Sequence, residues 1–206
     1  MVKYIGKELG YLERLQKKQD SIVVGIWGVH SGAGVTTMTV ALANYLTGFL
    51  GKRVAVFECG NKFEFSKIYE SIGGQKEQKE EGVFSYENVT YYMKGTTNIQ
   101  KLLGKEFDMI IVDFGTSALV PSEFMRCKYK IVLSSMQPWF CGRYHEFCEK
   151  LENYQGSDVW LHIIGSDVKE VKRIRRKYKV VAVERPNINN AYVIDKGLIN
   201  FFQSLF

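Results

Sequence analysis

Apolar residues along this chain fall in short unbroken runs, separated by stretches with helical spacing, and that alternation predicts its elements. Ile22-Val23-Val24-Gly25-Ile26-Trp27 reads as a buried strand, followed by a glycine-rich turn and a helix over Met38 to Leu50. A second short strand is predicted at Lys52 to Glu58. Asn61 to Glu81 is polar and ends in the run Gln75 to Glu81, which reads as a solvated loop or helix end. Val83 to Met93, rich in tyrosine, valine and threonine, fits an edge strand or hairpin. Further strands are predicted at Phe107 to Asp113, Lys130 to Ser134, Val159 to Ile164 and Val180 to Val183. Helices are predicted over Phe140 to Tyr154, Val168 to Tyr178 and Asp195 to Phe206.

Strands that are apolar throughout, alternating with helices, require both faces of a sheet to be covered. The expected fold class is therefore α/β, a three-layer sandwich with a mainly parallel sheet. With 206 residues, no Pro/Gly-rich linker and no internal repeat, residues 21–206 read as a single domain. Residues 1–20 stand ahead of the first strand, with Ile5, Leu9, Leu12 and Leu15 on one helical face and basic residues around it. That segment is expected to dock on its own domain, on a partner or on a membrane surface. At the other end, Leu198, Ile199, Phe201, Phe202, Leu205 and Phe206 form an apolar stripe expected to pack on the sheet.

The formal charge of +6 admits an acidic partner, nucleic acid or an anionic membrane, but only if the charge is localised. It is concentrated in Lys169, Lys172, Arg173, Arg175, Arg176, Lys177 and Lys179. The same segment fits an amphipathic helix whose Val168, Val171 and Ile174 face the sheet. Four cysteines without paired spacing point to reduced thiols in a cytosolic protein. No apolar run is long enough for a transmembrane helix, and the charged start of the chain lacks an export signal core. The expected location is cytoplasmic, with peripheral contact at the inner face of the membrane as the alternative.

Between the first strand and the first helix stands Gly28-Val29-His30-Ser31-Gly32-Ala33-Gly34-Val35-Thr36-Thr37. Strand, glycine-rich turn and helix opening on two threonines is the context of a phosphate-binding loop. Its backbone amides and helix N-terminus hold oxyanions without side chains. Thr36 is placed to ligate magnesium and Thr37 to reach the next phosphate, while Asp113 is placed to orient a magnesium-bound water. The competing reading is a glycine turn with no ligand, and an Asp113 that caps the turn after its strand. Val35 occupies the position of the lysine that neutralises the outer phosphates. Losing such a charge-assisted contact, worth roughly 1.5–3 kcal/mol, weakens binding by about ten- to a hundredfold or more.

These residues resemble the deviant Walker A ATPases of the ParA/MinD group, whose loop reads K-G-G-V-G-K-T-T. His30 to Thr37 lie over its eight positions, so both family lysines are replaced, by His30 and Val35. The resemblance implies a P-loop NTPase-like fold, ATP or ADP with magnesium as cofactor, and a homodimer as one assembly state. It also implies an acid-x-acid pair after the second strand, matched here by Glu58-Cys59-Gly60, with the later acid missing. The adenine-holding loop of the family is similar to Arg185-Pro186-Asn187. With three catalytic positions altered, only His30 and Glu58 remain as candidates for chemistry. Lysine-less G-x-G-x-T-T loops are similar to the TadZ/CpaE-like branch, which implies an adaptor or localisation factor for a pilus, secretion or positioning assembly, with weak or absent ATP binding and hydrolysis. The alternatives are a slow ATPase whose cation comes from elsewhere, a partition-type protein binding DNA through residues 169–179, and a membrane-surface protein.

Overall fold

The computed structural model describes residues 21–74, 81–103 and 106–205. The expected helix over residues 1–20 lies outside the described residues, as do Phe206 and all of the 75–81 run except Glu81.

The strands are β1 (Ile22–Gly28), β2 (Val54–Glu58), β3 (Val83–Tyr86), β4 (Val89–Tyr92), β5 (Met109–Thr116), β6 (Tyr129–Ser135), β7 (Leu161–Gly165) and β8 (Val181–Glu184). The helices are α1 (Val35–Asn44), α2 (Glu64–Ser71), α3 (Ile99–Leu103), α4 (Ser122–Met125), α5 (Pro138–Glu149), α6 (Val168–Tyr178) and α7 (Lys196–Gln203). Among the described residues, one eight-stranded sheet runs in the order β3-β4-β2-β5-β1-β6-β7-β8, and only the β3–β4 hairpin is antiparallel. The α/β class with a mainly parallel, helix-covered sheet is thus observed.

The side-chain period of two splits each strand between two cores. Val24, Ile26, Val54, Val56, Ile111 and Leu133 face α1, α2 and α7. Trp27, Phe57, Ile110, Val112 and Val132 face α3 to α6. Gly25 is required by packing: a β-carbon there would lie 2.8 Å from Cys127 Sγ and 2.9 Å from the Phe124 ring. The basic helix α6 buries Val171 and Ile174 against this second core and leaves its six named cations exposed, as is Lys179 just after it. Leu198 and Phe202 of α7 are buried against the first core, with Asp195 capping the helix. The chain thus keeps the expected docking of its last helix.

The polar 61–81 segment contains helix α2, which forms because Phe65 is fully buried and the Glu58 carboxylate caps its first turn. Three expectations need correction. Val168, expected to face the sheet with Val171 and Ile174, is instead 52% exposed. Asp113 does not end its strand: β5 continues through Phe114-Gly115-Thr116, with a register shift against β1 and Gly115 at φ 60°. The first helix starts at Val35 rather than Met38, since Gly34 in the left-handed region (φ 87°) serves as its N-cap, and a π-helical turn, Tyr45–Phe49, completes it.

Candidate nucleotide-binding site

β1 sits at the centre of the sheet, with β5 on one side and β6 on the other, so the chain reverses its direction of winding here. The crevice beyond the carboxyl ends of the strands at such a point is where open α/β sheets bind ligands. The loop from Gly28 to Gly34 occupies it. Gly32 (φ 80°) and Gly34 (φ 87°) take backbone conformations open to glycine at little cost. Gly34 brings no capping side chain, so the first-turn amides of α1 face the cleft without an internal partner. Gly28 is held small by its surroundings: a β-carbon would come within 2.8 Å of Val35 Cγ2 and 2.9 Å of Ala33 Cβ. Val35 itself is 5% exposed and belongs to the core on the α1 face. The side chain that replaces the lysine therefore braces the underside of the loop.

Thr36 and Asp113 meet as the sequence pattern requires. Thr36 Oγ1 donates to Asp113 Oδ2 at 2.7 Å, and Gly115 N donates to Asp113 Oδ1 at 2.8 Å. Burial, opposed by these two hydrogen bonds and assisted by Glu58 and Glu64, pushes the Asp113 carboxyl up to about 6. An acid that is expensive to ionise, beside a hydroxyl at the start of a helix, gains from a cation nearby. Among the described residues no cluster of three His, Cys, Asp or Glu could hold a metal alone, so a magnesium ion here would depend on phosphate oxygens as well. The donor set of Thr36, Asp113 and open amides fits a magnesium-nucleotide.

The other candidates land differently. His30 is 2% exposed, stacked on Phe140 with ring centroids 3.8 Å apart, and its Nδ1 donates to the Ser31 carbonyl at 2.9 Å. Burial first, then Arg143 and Arg185, hold its pKa below the ordinary value, so the ring is neutral and turned inward. Glu58 pairs in register with Asp113 on the neighbouring strand but is spent on structure. Its Oε1 accepts from Glu64 N (2.6 Å) and Phe65 N (3.3 Å), and its Oε2 from Lys94 N (3.4 Å). Ser31, Gly32, Ala33, Val35, Thr36 and Thr37 all follow the loop. The segment with Pro186 reaches that loop through Arg185, whose Nη1 donates to the Ala33 carbonyl at 3.1 Å.

Sequence reasoning missed one member of the site. Lys62, on the β2–α2 loop, donates from Nζ to Ser31 Oγ at 2.9 Å. It lines a cleft of about 300 Å³ together with Gly32 to Thr37, Glu64, Gly115 and Thr116. No spacing rule ties it to the loop, since the sheet order alone brings β2 beside β5. An adjoining cleft of about 530 Å³ shares Gly32 and is lined by His30, Ser135, Gln137, Trp139 and Arg185 among others.

No protein-family model and no curated protein matches the sequence. Solved structures do match in fold. A plasmid partition protein from Borrelia burgdorferi B31 bound to AMPPNP aligns at TM-score 0.63 and 12% identity, covering 91% of this chain and 100% of that one. A ParA family ATPase from Chlorobium tepidum TLS aligns at TM-score 0.61 and 12% identity, over 90% and 98% of the two chains. A chain of a MinC:MinD cell division protein complex from Aquifex aeolicus aligns at TM-score 0.59 and 13% identity, over 90% of each chain. The fold is that of the ParA/MinD-type P-loop ATPases. The likeness at these identities is one of fold.

Proposed function

We propose that this chain is a P-loop adaptor that binds Mg-ATP or Mg-ADP weakly, hydrolyses it slowly or not at all, and uses the bound state to place or assemble a multi-protein machine. The observation that carries this is the coexistence of an intact Thr36–Asp113 pair with a Val35 locked into the core. The loop keeps the shape and metal-side groups of a nucleotide site and has given up its own cation. Thr36 would ligate the magnesium and Asp113 would accept from a water on it; the ion would supply charge neutralisation on the phosphates. The adenosine end would lie toward the cleft beside Arg185 and Trp139, next to the 185–187 segment. Neutral, stacked His30 and capping Glu58 leave no free base or cation at the positions where hydrolysis in the family needs them.

The pilus or secretion setting rests on the likeness of the lysine-less loop to the TadZ/CpaE-like branch. A homodimer is the assembly state that the family likeness suggests. Titration calorimetry with Mg-ATP and Mg-ADP, paired with a sensitive phosphate-release assay, tests the reading. Micromolar-to-millimolar binding with negligible release is expected; turnover equal to that of lysine-containing relatives would defeat it.

A second reading is favoured by the 169–179 segment, whose seven cations stay exposed while Val171 and Ile174 of α6 are buried. It makes the chain a non-specific DNA binder of the partition kind. Electrophoretic retardation of DNA that disappears with rising salt and with charge reversal at Arg173 and Arg176 is its signature.

A further inference from the structure

A polyanion entering the cleft over Gly32 to Thr37 meets carboxylates close by: Glu64 lines the cleft, and Asp113, bonded to Thr36 and Gly115 of its lining, pairs in register with Glu58. The loop contributes partial positive charge from its amides, but the buried Val35 contributes none. A full positive charge has to come from another element. We propose that Lys62 supplies it in cis, so that the β2–α2 loop carries the ammonium that the phosphate loop itself lacks. The inference rests on the nucleotide reading above and names the group that makes the outer phosphates tolerable.

Three observations converge on Lys62. Its ammonium is already at the loop, 2.9 Å from Ser31 Oγ, and shares the cleft with the amides of Gly32 to Thr37. Its charge is not otherwise consumed, since no carboxylate lies within ion-pair distance of it among the described residues. Nearby cations are engaged: Lys67 pairs with Glu64 at 3.2 Å, Lys94 bonds Asn61 and lies over the Phe63 ring, and Arg185 holds the Ala33 carbonyl.

The third observation is that the backbone carrying Lys62 is fixed relative to the site. Cys59 N and Gly60 N both donate to the Asp113 carbonyl, at 2.8 and 3.1 Å. Gly60 lies so close to Gly115 that an added β-carbon would be 3.1 Å from Gly115 Cα. On the far side, Glu58 clamps the start of α2. A long, exposed lysine on an anchored loop can swing between Ser31 and a phosphate at little conformational cost. One ammonium is attracted more strongly to the higher charge of a di- or triphosphate, so it favours these over a monophosphate.

The experiment compares Mg-ATP, Mg-ADP and AMP binding to the full chain by titration calorimetry, in wild type, Lys62→Met and Lys62→Arg. Lys62→Met keeps the stem and removes the charge, and the side chain is exposed, so unfolding midpoints should match wild type. Mg-ATP and Mg-ADP affinity should fall about ten- to a hundredfold in Lys62→Met, and stay within a few-fold in Lys62→Arg. AMP binding should barely change. Wild-type affinity for Mg-ATP in Lys62→Met would overturn the role of Lys62 while leaving the nucleotide site standing. No Mg-ATP binding by the wild-type chain at millimolar concentration would overturn both.

Discussion

Thr36 Oγ1 and Asp113 Oδ2 lie 2.7 Å apart across 77 positions of sequence, one on the first turn of α1 and the other inside β5. The contact exists because alternate residues of β5 point to the α1 face, and Asp113 shares that face with Ile111. It also gives the molecule a titration signature.

Asp113 has a folded pKa of about 6 against an unfolded value of 3.8, so the native state binds the extra proton between these values. The stability it contributes is complete below pH 3.8 and is lost as pH rises through about 6. The shift corresponds to a cost on the order of 3 kcal/mol for the ionised group at neutral pH. Asp113→Asn is therefore expected to be more stable than wild type at pH 7–8, by about 1–3 kcal/mol, with the difference vanishing near pH 4. It should also lose magnesium-dependent nucleotide binding. Urea unfolding across that pH range, with and without Mg-ATP, checks both.

His162 works in the opposite sense. It is fully buried, paired with Tyr144 Oη at 2.8 Å, and burial lowers its pKa from 6.5 to about 3. Its stability contribution is present above pH 6.5 and is lost as pH falls toward 3. Replacing both partners, by Tyr144→Phe with His162→Leu, should flatten the fall in thermal midpoint between pH 6.5 and 4.

Restoring the missing acid after β2 should not restore chemistry. An aspartate at Gly60 would place its β-carbon 3.1 Å from Gly115 Cα and 3.2 Å from Gly115 N, both backbone atoms of the strand that carries Asp113. Gly60→Asp is expected to cost about 1–3 kcal/mol in stability from this crowding, with phosphate release no higher than in wild type. Denaturation midpoints and a release assay on the same preparation decide it.

Glu58→Ala removes the acceptor for Glu64 N, Phe65 N and Lys94 N at a buried position. Orphaned buried donors and a lost cap should destabilise the chain by about 2–4 kcal/mol, and Glu58→Gln by less. Hydrogen exchange of the α2 amides should speed up most. A loss of nucleotide binding without that local effect would point instead to a direct role for Glu58.

The sequence by itself determined the layered α/β architecture, because fully apolar strands and amphipathic helices allow few other packings. It also marked the glycine-rich loop and Asp113 as a candidate site, since clustered glycines and a carboxylate in an apolar strand are local signals. Local pattern was weaker on α2, whose polar sequence depends on one buried phenylalanine and a cap supplied by Glu58. Only the tertiary structure decided where the charges go. It turned His30 inward onto Phe140, drove Val35 into the core and brought Lys62 to the loop. Those outcomes depend on strand order and on which side of a backbone a side chain falls, which no spacing along the chain encodes.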